Sequence, residues 1–407
     1  MSRSTQFFRK KSVLGKWPDP PRILEQQHGS FPTPAPQPPA RVRSCALRMP
    51  ITDLLRYIRK AEAQRHTTSS EHCSRMPSST PRITVALSVY NGERFLAEAI
   101  DSVLAQSFED FEFLILDDGS QDSTRTIILD HAARDARIRP ILRENRGLVA
   151  SLNQLLTEAR APLVARMDAD DICLPERFAR QVAYLDAHPA VGVLGTWTED
   201  IDESGAPHPV VTRDHPCTHE AFLAAVEHGL PLLCHPAVTY RRDVVLSVGG
   251  YHGAFKHCED LDLWLRLAAV TRIANLPERL LRYRHYEQQV SSRHATVQQI
   301  GAAVARLAYA ERQAGRPDPT ADLEQLPPLE SLDALFGREG IAKAVRARVA
   351  PGLLYSRSGL RDEGFDILRE YIREGGSHIG LWRTVGRLMM FGEPIRALAL
   401  AKTLAFG

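Results

Sequence analysis

Four short clusters of polar or acidic residues, each following an apolar run, contain the residue types best suited to chemistry. In chain order they occupy residues 88–91, 117–120, 168–171 and 259–260. The first three begin where a predicted strand ends, and in an open α/β sheet ligands bind at that edge. Together the clusters predict a site for a nucleotide and a metal ion, with a separate carboxylate acting as base.

The third cluster places Asp168 and Asp170 two residues apart, directly after a predicted buried strand. Carboxylates with this spacing can direct one group to a ribose or sugar hydroxyl and the other to a divalent cation, which prefers oxygen ligands. Such a cation would offset the charge of a departing pyrophosphate. The same residues could instead cap a helix that is predicted to begin near Pro175.

The first two clusters have the chemistry to bind a base. A carboxylate in the second can accept a hydrogen bond from the imide N–H of uracil or thymine, and Gly119 lets the backbone turn closely past a base. The first cluster adds an aromatic face and backbone groups. Plain turns and a helix cap explain the same residues equally well. The candidate base-binding residues are Ser88, Tyr90, Asn91, Asp117 and Asp118.

Glu259 and Asp260 lie at the start of a predicted helix, where the helix dipole stabilises carboxylates, so capping alone would account for them. In the functional interpretation Asp260 is a general base that takes a proton from an attacking hydroxyl. His285 could reach the phosphates or the metal ion, although a single histidine is more often structural.

Alternating strands and helices must position these clusters. This alternation predicts a parallel sheet with helices on both faces. Its strands are predicted at 83–89, 111–116, 139–142, 163–167 and 191–196, and its helices at 93–106, 123–133, 148–159 and 175–187. Less regular elements follow: strands at 237–240, 272–276 and 280–285, and helices at 243–248, 261–269, 297–314, 340–354, 360–374 and 380–403.

Charge is distributed unevenly along the chain. Residues 1–80 hold 14 Lys or Arg and 5 Asp or Glu, although the whole chain has a formal net charge of only +2. These residues also contain eight prolines between Pro18 and Pro39, which favour extended backbone. We therefore predict a disordered basic leader at 1–80, with one short helix at 51–65, ahead of a slightly acidic body without affinity for nucleic acid.

Cysteine usage and hydropathy bear on location. The six cysteines form no CxxC pair, which indicates reduced thiols. No apolar run approaches the roughly 18–20 residues of a membrane helix. We expect a cytoplasmic protein, with peripheral contact at the inner face of the membrane left open.

The stretch from Ile83 to about Ser292 resembles the inverting family 2 glycosyltransferases of the GT-A fold. Each motif alone is weak, but their order and spacing are specific. The motifs are Ser88-Val89-Tyr90-Asn91-Gly92, Asp117-Asp118-Gly119-Ser120, Asn145-Arg146-Gly147-Leu148, Arg166-Met167-Asp168-Ala169-Asp170-Asp171, His235-Pro236, Gly249-Gly250-Tyr251 and Glu259-Asp260-Leu261-Asp262-Leu263-Trp264.

This resemblance implies a mixed, mostly parallel sheet flanked by helices. It also implies a reaction in which a sugar passes from a nucleoside-diphosphate donor, UDP- or dTDP-linked, to an acceptor hydroxyl with inversion. The acceptor would be a glycan, a lipid-linked sugar or a protein. The implied roles are base binding for Tyr90 and Asp118, nucleotide contact for Arg146, ribose or sugar contact for Asp168, Mg²⁺ or Mn²⁺ binding for Asp170, and catalysis for Asp260 with Glu259 beside it.

Three segments follow from these features. They are the leader at 1–80, a transferase domain at 81–295 and a helical accessory region at 296–407 that could bind a partner. Within the domain, 81–198 would bind the nucleotide sugar and 199–295 would hold the acceptor and the base. The Gln-x-x-Arg-Trp signature of processive synthases is absent from the sequence, which favours transfer of single sugars.

Two alternatives stay open at this point. An inactive sugar-nucleotide or glycan-binding module would keep the fold without turnover. A phosphatase of the haloacid dehalogenase type would use Asp168 and Asp170 as nucleophile and acid, but it expects Thr or Val where Ile172 stands.

Overall fold

A computed structural model describes residues 80–209, 214–287, 289, 294–354 and 356–406. Apart from Thr80, the predicted leader and its helix at 51–65 lie outside these residues. None of the helices in the described ranges is long and apolar enough to cross a bilayer.

The described chain forms eight strands and thirteen α-helices. The strands are β1 (Ile83–Val89), β2 (Phe111–Asp117), β3 (Ile138–Leu142), β4 (Leu163–Met167), β5 (Ile172–Cys173), β6 (Val191–Ile201), β7 (Thr239–Arg241) and β8 (Arg272–Arg284). The helices are α1 (Leu96–Leu104), α2 (Thr124–Ala132), α3 (Leu148–Glu158), α4 (Arg177–Ala187), α5 (His219–His228), α6 (Arg242–Ser247), α7 (Glu259–Leu267), α8 (Ala295–Gln313), α9 (Leu332–Phe336), α10 (Ile341–Leu353), α11 (Gly364–Arg373), α12 (Leu381–Met390) and α13 (Pro394–Phe406).

All eight strands belong to one sheet in the order β3-β2-β1-β4-β7-β6-β8-β5. Pairing is parallel between β1 and β2, β1 and β4, β2 and β3, and β6 and β8, whereas β4–β7, β6–β7 and β5–β8 are antiparallel. The mixed, mostly parallel sheet expected from the sequence is therefore confirmed.

The parallel neighbours bring the first three clusters together. In the register of the sheet, Val89 of β1 lies beside Asp117 of β2, and Leu87 lies beside Met167 of β4. All three strands therefore end at the same edge, and the residues that follow them meet there.

Strand β8 differs from the prediction of two strands at 272–276 and 280–285. It is continuous, and its parallel register against β6 shifts between Thr196, which lies beside Leu276, and Trp197, which lies beside Arg279. The two residues passed over include Pro277. A proline inside a strand is tolerated at such a bulge, where its missing N–H removes no ladder hydrogen bond.

Helices cover both faces of the sheet. Helices α1, α2 and α4 pack on one face, and α3, α5, α6, α7, α8 and α10 pack in the core on the other. Helices α11, α12 and α13 form a further apolar cluster that includes Ala350 of α10. The predicted boundary after residue 295 falls within the first turn of α8, which shares its core with the sheet.

Two helical features differ from the sequence-based prediction. The predicted helix at 380–403 is two helices, α12 and α13, because Gly392 adopts a left-handed φ of 75° and Pro394 begins the second. Helix α5 was not predicted, although Thr218 caps it by accepting a hydrogen bond from the Ala221 N–H at 3.2 Å.

A buried guanidinium fixes the strand that leads into the third cluster. Arg177 is fully buried, and its Nη2 donates to the carbonyl oxygens of Arg166 at 2.8 Å and Val238 at 3.2 Å. Its Nε donates to Gln181 Oε1 at 3.2 Å. Two of these acceptors have a second donor, since the Val238 carbonyl also accepts from the Arg166 N–H at 2.9 Å and Gln181 Oε1 from Thr239 Oγ1 at 2.6 Å. Arg177 therefore adds charge-assisted hydrogen bonds that tie α4 to this part of the sheet.

The Arg177→Met variant should lower the free energy of unfolding by about 3 kcal/mol, because it removes three buried hydrogen bonds from a charged donor. Urea denaturation followed by fluorescence measures this change. Arg180 lies on the same helix with an exposed side chain, so Arg180→Met is the control and should cost less than about 0.5 kcal/mol. Equal losses in both variants would contradict this structural role.

Candidate functional site

The loops after β1 and β2 are joined by reciprocal hydrogen bonds. The Asn91 N–H donates to Ser120 Oγ at 2.9 Å, and the Gln121 N–H donates to Asn91 Oδ1 at 2.8 Å. Asn91 has a positive φ of 53°, a conformation that asparagine tolerates better than most residues. Asn91, which the sequence predicts to contact the nucleotide, therefore also fixes the conformation of this loop.

Asp117 and Asp118 differ in their surroundings. Asp117 is completely buried, and its carboxylate accepts hydrogen bonds from the Ser120 N–H at 2.9 Å and from Arg125 Nε at 3.2 Å. Asp118 accepts from the N–H groups of Arg146 at 3.0 Å and Gly147 at 2.8 Å. Asp118 thus ties the loop after β2 to the start of α3.

Two side chains at this edge are available to a ligand. Tyr90 is 50% exposed, and the side chain of Arg146 is also exposed. Gly119 lies between them in a left-handed conformation with a φ of 83°, and a Cβ there would come within 2.7 Å of the Asn145 backbone nitrogen. Ser88, the first residue of the cluster, belongs to β1 and is only partly exposed.

Asp168, Asp170 and Asp171, here called the carboxylate triad, place ligand atoms within 4.8 Å of one another. Tyr286 Oη donates to Asp170 Oδ2 at 2.8 Å, and the Arg284 N–H donates to Asp171 Oδ1 at 2.9 Å. Asp171 Oδ2 is buried without a hydrogen-bond partner among the described residues.

Electrostatics of the triad favour a bound cation. Burial, followed by the charge of Asp168, raises the pKa of Asp170 to about 6. Burial, followed by the charges of Asp170 and Asp168, raises the pKa of Asp171 well above its usual value. Oxygen ligands are those that Mg²⁺ and Mn²⁺ prefer, so the three carboxylates fit such an ion chemically.

Arg284 holds the triad against two other elements. Its side chain is 2% exposed, and its Nε donates to the Asp170 carbonyl oxygen at 2.8 Å. Its Nη2 pairs with Glu98 of α1 at 2.7 Å, and the guanidinium lies 4.5 Å from the centre of the Phe95 ring. The triad is therefore fixed to both α1 and β8.

The fourth cluster begins α7. Asp260 Oδ1 accepts a hydrogen bond from the Leu261 N–H at 2.7 Å, while Glu259 is buried and its Oε2 has no hydrogen-bond partner among the described residues. Burial, followed by the charge of Asp260, raises the pKa of Glu259 to about 7. Burial also raises the pKa of Asp260, against the opposing effects of the Leu261 N–H and of Arg166.

Arg166 links the two acidic groups. It is buried, and its Nη1 forms an ion pair with Asp168. Its positive charge opposes, without cancelling, the rise in the pKa values of four carboxyl groups: Asp170, Asp171, Glu259 and Asp260. Burial alone would lower the pKa of Arg166, but Asp168 raises it above the usual value, so Arg166 stays charged.

The segment before α7 is held from two sides. Asn153 of α3 donates to the Tyr251 carbonyl oxygen and accepts from the Tyr251 N–H, each at 2.8 Å. On the other side Gly301 of α8 lies so close to Cys258 that a Cβ would come within 2.3 Å of its Sγ. Helices α3 and α8 together position the residues that lead to Asp260.

One cavity of about 700 Å³ joins the triad and the fourth cluster. Its lining includes Arg166, Asp168, Asp170, His235, Glu259, Asp260, His285 and Tyr286. His285 lies in this cavity with its Nε2 2.8 Å from Asp200 Oδ1, and it is not part of the triad. A second cavity of about 700 Å³, lined by Arg146, Lys256 and His257, shares Glu259 with the first.

A slightly larger cavity of about 760 Å³ lies near α8, α10 and α11. Its lining contains carboxylates and guanidinium groups but none of the four clusters. We therefore take the cavity at the sheet edge as the candidate active site.

Sequence reasoning gave no role to Arg166, His235 or Tyr286. Arg166 and His235 belong to recognised motifs, so their positions carried a signal. Tyr286 reaches Asp170 because β5 pairs antiparallel with β8, with Ile172 beside Arg282. No local pattern in the sequence predicts that pairing.

Comparisons with known proteins give one consistent family. The profile described as "Glycosyl transferase family 2" matches residues 84–249. Putative glycosyltransferase EpsE of Bacillus subtilis is 37% identical over 193 residues, covering 46% of this chain and 67% of that protein. Amylovoran biosynthesis glycosyltransferase AmsE of Erwinia amylovora is 32% identical over 221 residues, covering 52% of this chain and 79% of that protein.

Among solved structures, S. aureus TarS 1-349 in complex with UDP aligns with a TM-score of 0.47 at 18% sequence identity. The alignment covers 80% of this chain and 88% of that one.

The Tyr286→Phe variant should weaken Mn²⁺ binding about tenfold, because groups that hydrogen-bond to metal ligands set their orientation and charge. Titration calorimetry with Mn²⁺ alone measures the effect. Tyr283 lines the same cavity but donates no hydrogen bond to Asp168, Asp170 or Asp171, so Tyr283→Phe is the control. An unchanged affinity in Tyr286→Phe, or the same loss in both variants, would contradict a metal site at the triad.

Proposed function

Because the chain belongs to glycosyl transferase family 2, we propose that it transfers a sugar from a nucleoside-diphosphate donor to an acceptor hydroxyl with inversion. The observation that carries this proposal is the single cavity lined both by Asp168 and Asp170 and by Glu259 and Asp260. One acidic group is suited to the donor phosphates through a cation, and the other is suited to the acceptor.

On the donor side we assign the base to Tyr90 and Asp118 and the nucleotide to Arg146. Tyr90 and Arg146 have exposed side chains at the sheet edge, and Asp118 lies between their loops. Asn91, Asp117 and Asp118 all accept hydrogen bonds from backbone N–H groups in these turns, and Asp118 would offer a remaining carboxylate lone pair to the base. An acceptor for the imide N–H at Asp118 favours uracil or thymine, hence a UDP- or dTDP-linked sugar.

Asp168 would bind the ribose or donor sugar, and Asp170 would be the principal metal ligand with Asp171 beside it. When bound, Mg²⁺ or Mn²⁺ would offset the negative charge of the leaving diphosphate. The buried, unpartnered Asp171 Oδ2 and the raised pKa values of Asp170 and Asp171 support this assignment. His285 would serve as a further ligand only if it exchanged its contact with Asp200.

Asp260 would act as the general base. It would take the proton of the acceptor hydroxyl as that oxygen attacks the anomeric carbon, while the diphosphate departs from the opposite face. An α-linked donor would then give a β-linked product. Glu259, with a pKa of about 7, can be protonated at neutral pH and so would avoid a second full negative charge beside the base.

The acceptor is proposed only as a class: a glycan, a lipid-linked sugar or a protein. The printed name of AmsE assigns that relative to amylovoran biosynthesis, which supports a role in polysaccharide assembly for this chain. The predicted cytoplasmic location is part of the same proposal.

A panel of sugar nucleotides tests this function. Release of free nucleoside diphosphate in the presence of Mg²⁺ or Mn²⁺ supports a transferase and identifies the donor. Binding without turnover would instead indicate an inactive module, and phosphate release from phosphomonoesters would indicate the phosphatase.

The Asp260→Asn variant should lose about 10²–10⁴-fold in kcat, the range for a positioned general base. The affinity for the donor nucleotide should change little, because Asp260 lies on the acceptor side. Asp243 is exposed at the start of α6, so Asp243→Asn serves as the control and should retain full turnover. Undiminished turnover in Asp260→Asn would remove Asp260 from this role.

Acidic pH should slow the reaction in a defined way. A base acts only when ionised, and the burial that raises the pKa of Asp260 moves its protonation to higher pH. The acidic limb of the kcat profile should therefore lie above the pH at which an ordinary aspartate titrates. Initial rates across a pH series, with donor and metal saturating, measure the limb; a limb at or below the ordinary value would contradict the assignment.

A further inference from the structure

Helices α12 and α13 carry an unusual concentration of exposed apolar side chains. Half of the large hydrophobic residues that are exposed in the described part of the chain lie between 379 and 406. Six of them define what we call the outer face. They are Trp382, Met389 and Met390 of α12, and Ile395, Leu398 and Phe406 of α13.

Helical spacing places these residues on one side of each helix. Trp382 and Met389 of α12 are seven residues apart, and Ile395 and Leu398 of α13 are three apart, so each pair lies on one helix face. The opposite sides are buried: Leu381 and Leu388 of α12 pack in the same cluster as Leu400 of α13. The outer face therefore points away from the protein.

The exposure is large. Trp382 is 59% exposed, whereas Met390, Ile395 and Phe406 are 84%, 85% and 90% exposed. Contiguous apolar surface of this kind generally marks a binding surface. Tryptophan and phenylalanine are also typical of the apolar side of helices that lie in a membrane interface.

Charge distinguishes among the partners that could cover this face. Residues 379–406 contain four basic residues and one acidic residue. The acidic residue, Glu393, lies 3.1 Å from Arg361 and is only partly exposed. Arg383 and Lys402 are exposed beside the apolar residues. The outer face is therefore apolar with a positive border.

A second copy of this chain would fit this surface poorly. A two-fold interface pairs the same patch with itself, which would bring Arg383 and Lys402 of one copy towards the same cations of the other. Anionic lipid headgroups supply the opposite charge, and each basic residue near such a surface adds to the attraction.

We propose that the outer face of α12 and α13 docks on an anionic lipid membrane. The apolar side chains enter the boundary between headgroups and acyl chains, and Arg383 and Lys402 contact the lipid phosphates. The helices lie on the surface and do not span the bilayer, in keeping with their length. This proposal does not depend on the sugar-transfer reaction.

Vesicle binding by the full chain tests the proposal. Wild-type protein should cosediment with vesicles of phosphatidylglycerol and phosphatidylcholine, and more weakly with phosphatidylcholine alone. A triple variant, Trp382→Ser, Met390→Ser and Ile395→Ser, should lower the partition coefficient at least about tenfold, because three apolar side chains no longer enter the interface. Absence of wild-type binding would overturn the proposal.

A matched control removes exposed apolar side chains elsewhere. Leu246→Ser with Val270→Ser changes two residues that are exposed outside the outer face, and this variant should bind as wild type. Thermal unfolding checks that both variants fold. If the triple variant binds as well as wild type, the contact lies elsewhere in the chain, for example in its basic first 80 residues, and the proposal is wrong.

Two further measurements identify the occupant. Dibromo-phosphatidylcholine should quench tryptophan fluorescence more in wild type than in Trp382→Phe, because bromine atoms quench only residues that enter the acyl region. Arg383→Glu with Lys402→Glu should weaken binding to phosphatidylglycerol vesicles and reduce its salt dependence. A dimer in sedimentation velocity that dissociates in the triple variant would overturn the proposal in favour of a second copy.

Discussion

One buried cation among five carboxylates is the constraint on which the active-site region depends. Arg166 is removed from water, and its charge acts on carboxylates from two separate parts of the sheet edge. Those carboxylates are Asp168, Asp170, Asp171, Glu259 and Asp260. One guanidinium cannot neutralise five acidic groups, so protons or an added cation must offset the excess charge. Burial, followed by that excess of negative charge, raises the pKa values of Asp170, Asp171 and Glu259.

Side chains from three other elements, α4, β8 and α3, hold the segments that carry these charges in place. Arg177 fixes the strand before the triad through backbone carbonyls, and Arg284 fixes the loop itself from β8. On the other side, Asn153 binds the Tyr251 backbone. Each of these side chains hydrogen-bonds to the backbone of a segment that carries or precedes the acidic residues. The acidic residues are therefore oriented by bonds that a bound nucleotide or acceptor need not supply.

Much of the fold could be predicted from the sequence because buried parallel strands read as continuous apolar runs. The bounds of β1 and β4 match the prediction, and the ends of these strands located the candidate acidic residues. Strand β8 was divided in two because a bulge at Pro277 depends on its partner β6. Tyr286 was missed as a partner of the triad for a similar reason: its contact with Asp170 joins residues more than a hundred positions apart.

The close approach of Gly301 to Cys258 shows how the chain is divided. Helix α8 supports the segment that ends in Asp260, and with α10 it completes the core that contains Trp264. A protein truncated at residue 295 would lose this support and leave that core open to water, whereas α11, α12 and α13 pack in a different apolar cluster that they share with Ala350 of α10. The smallest stable fragment that carries the candidate base is therefore expected to extend through α10.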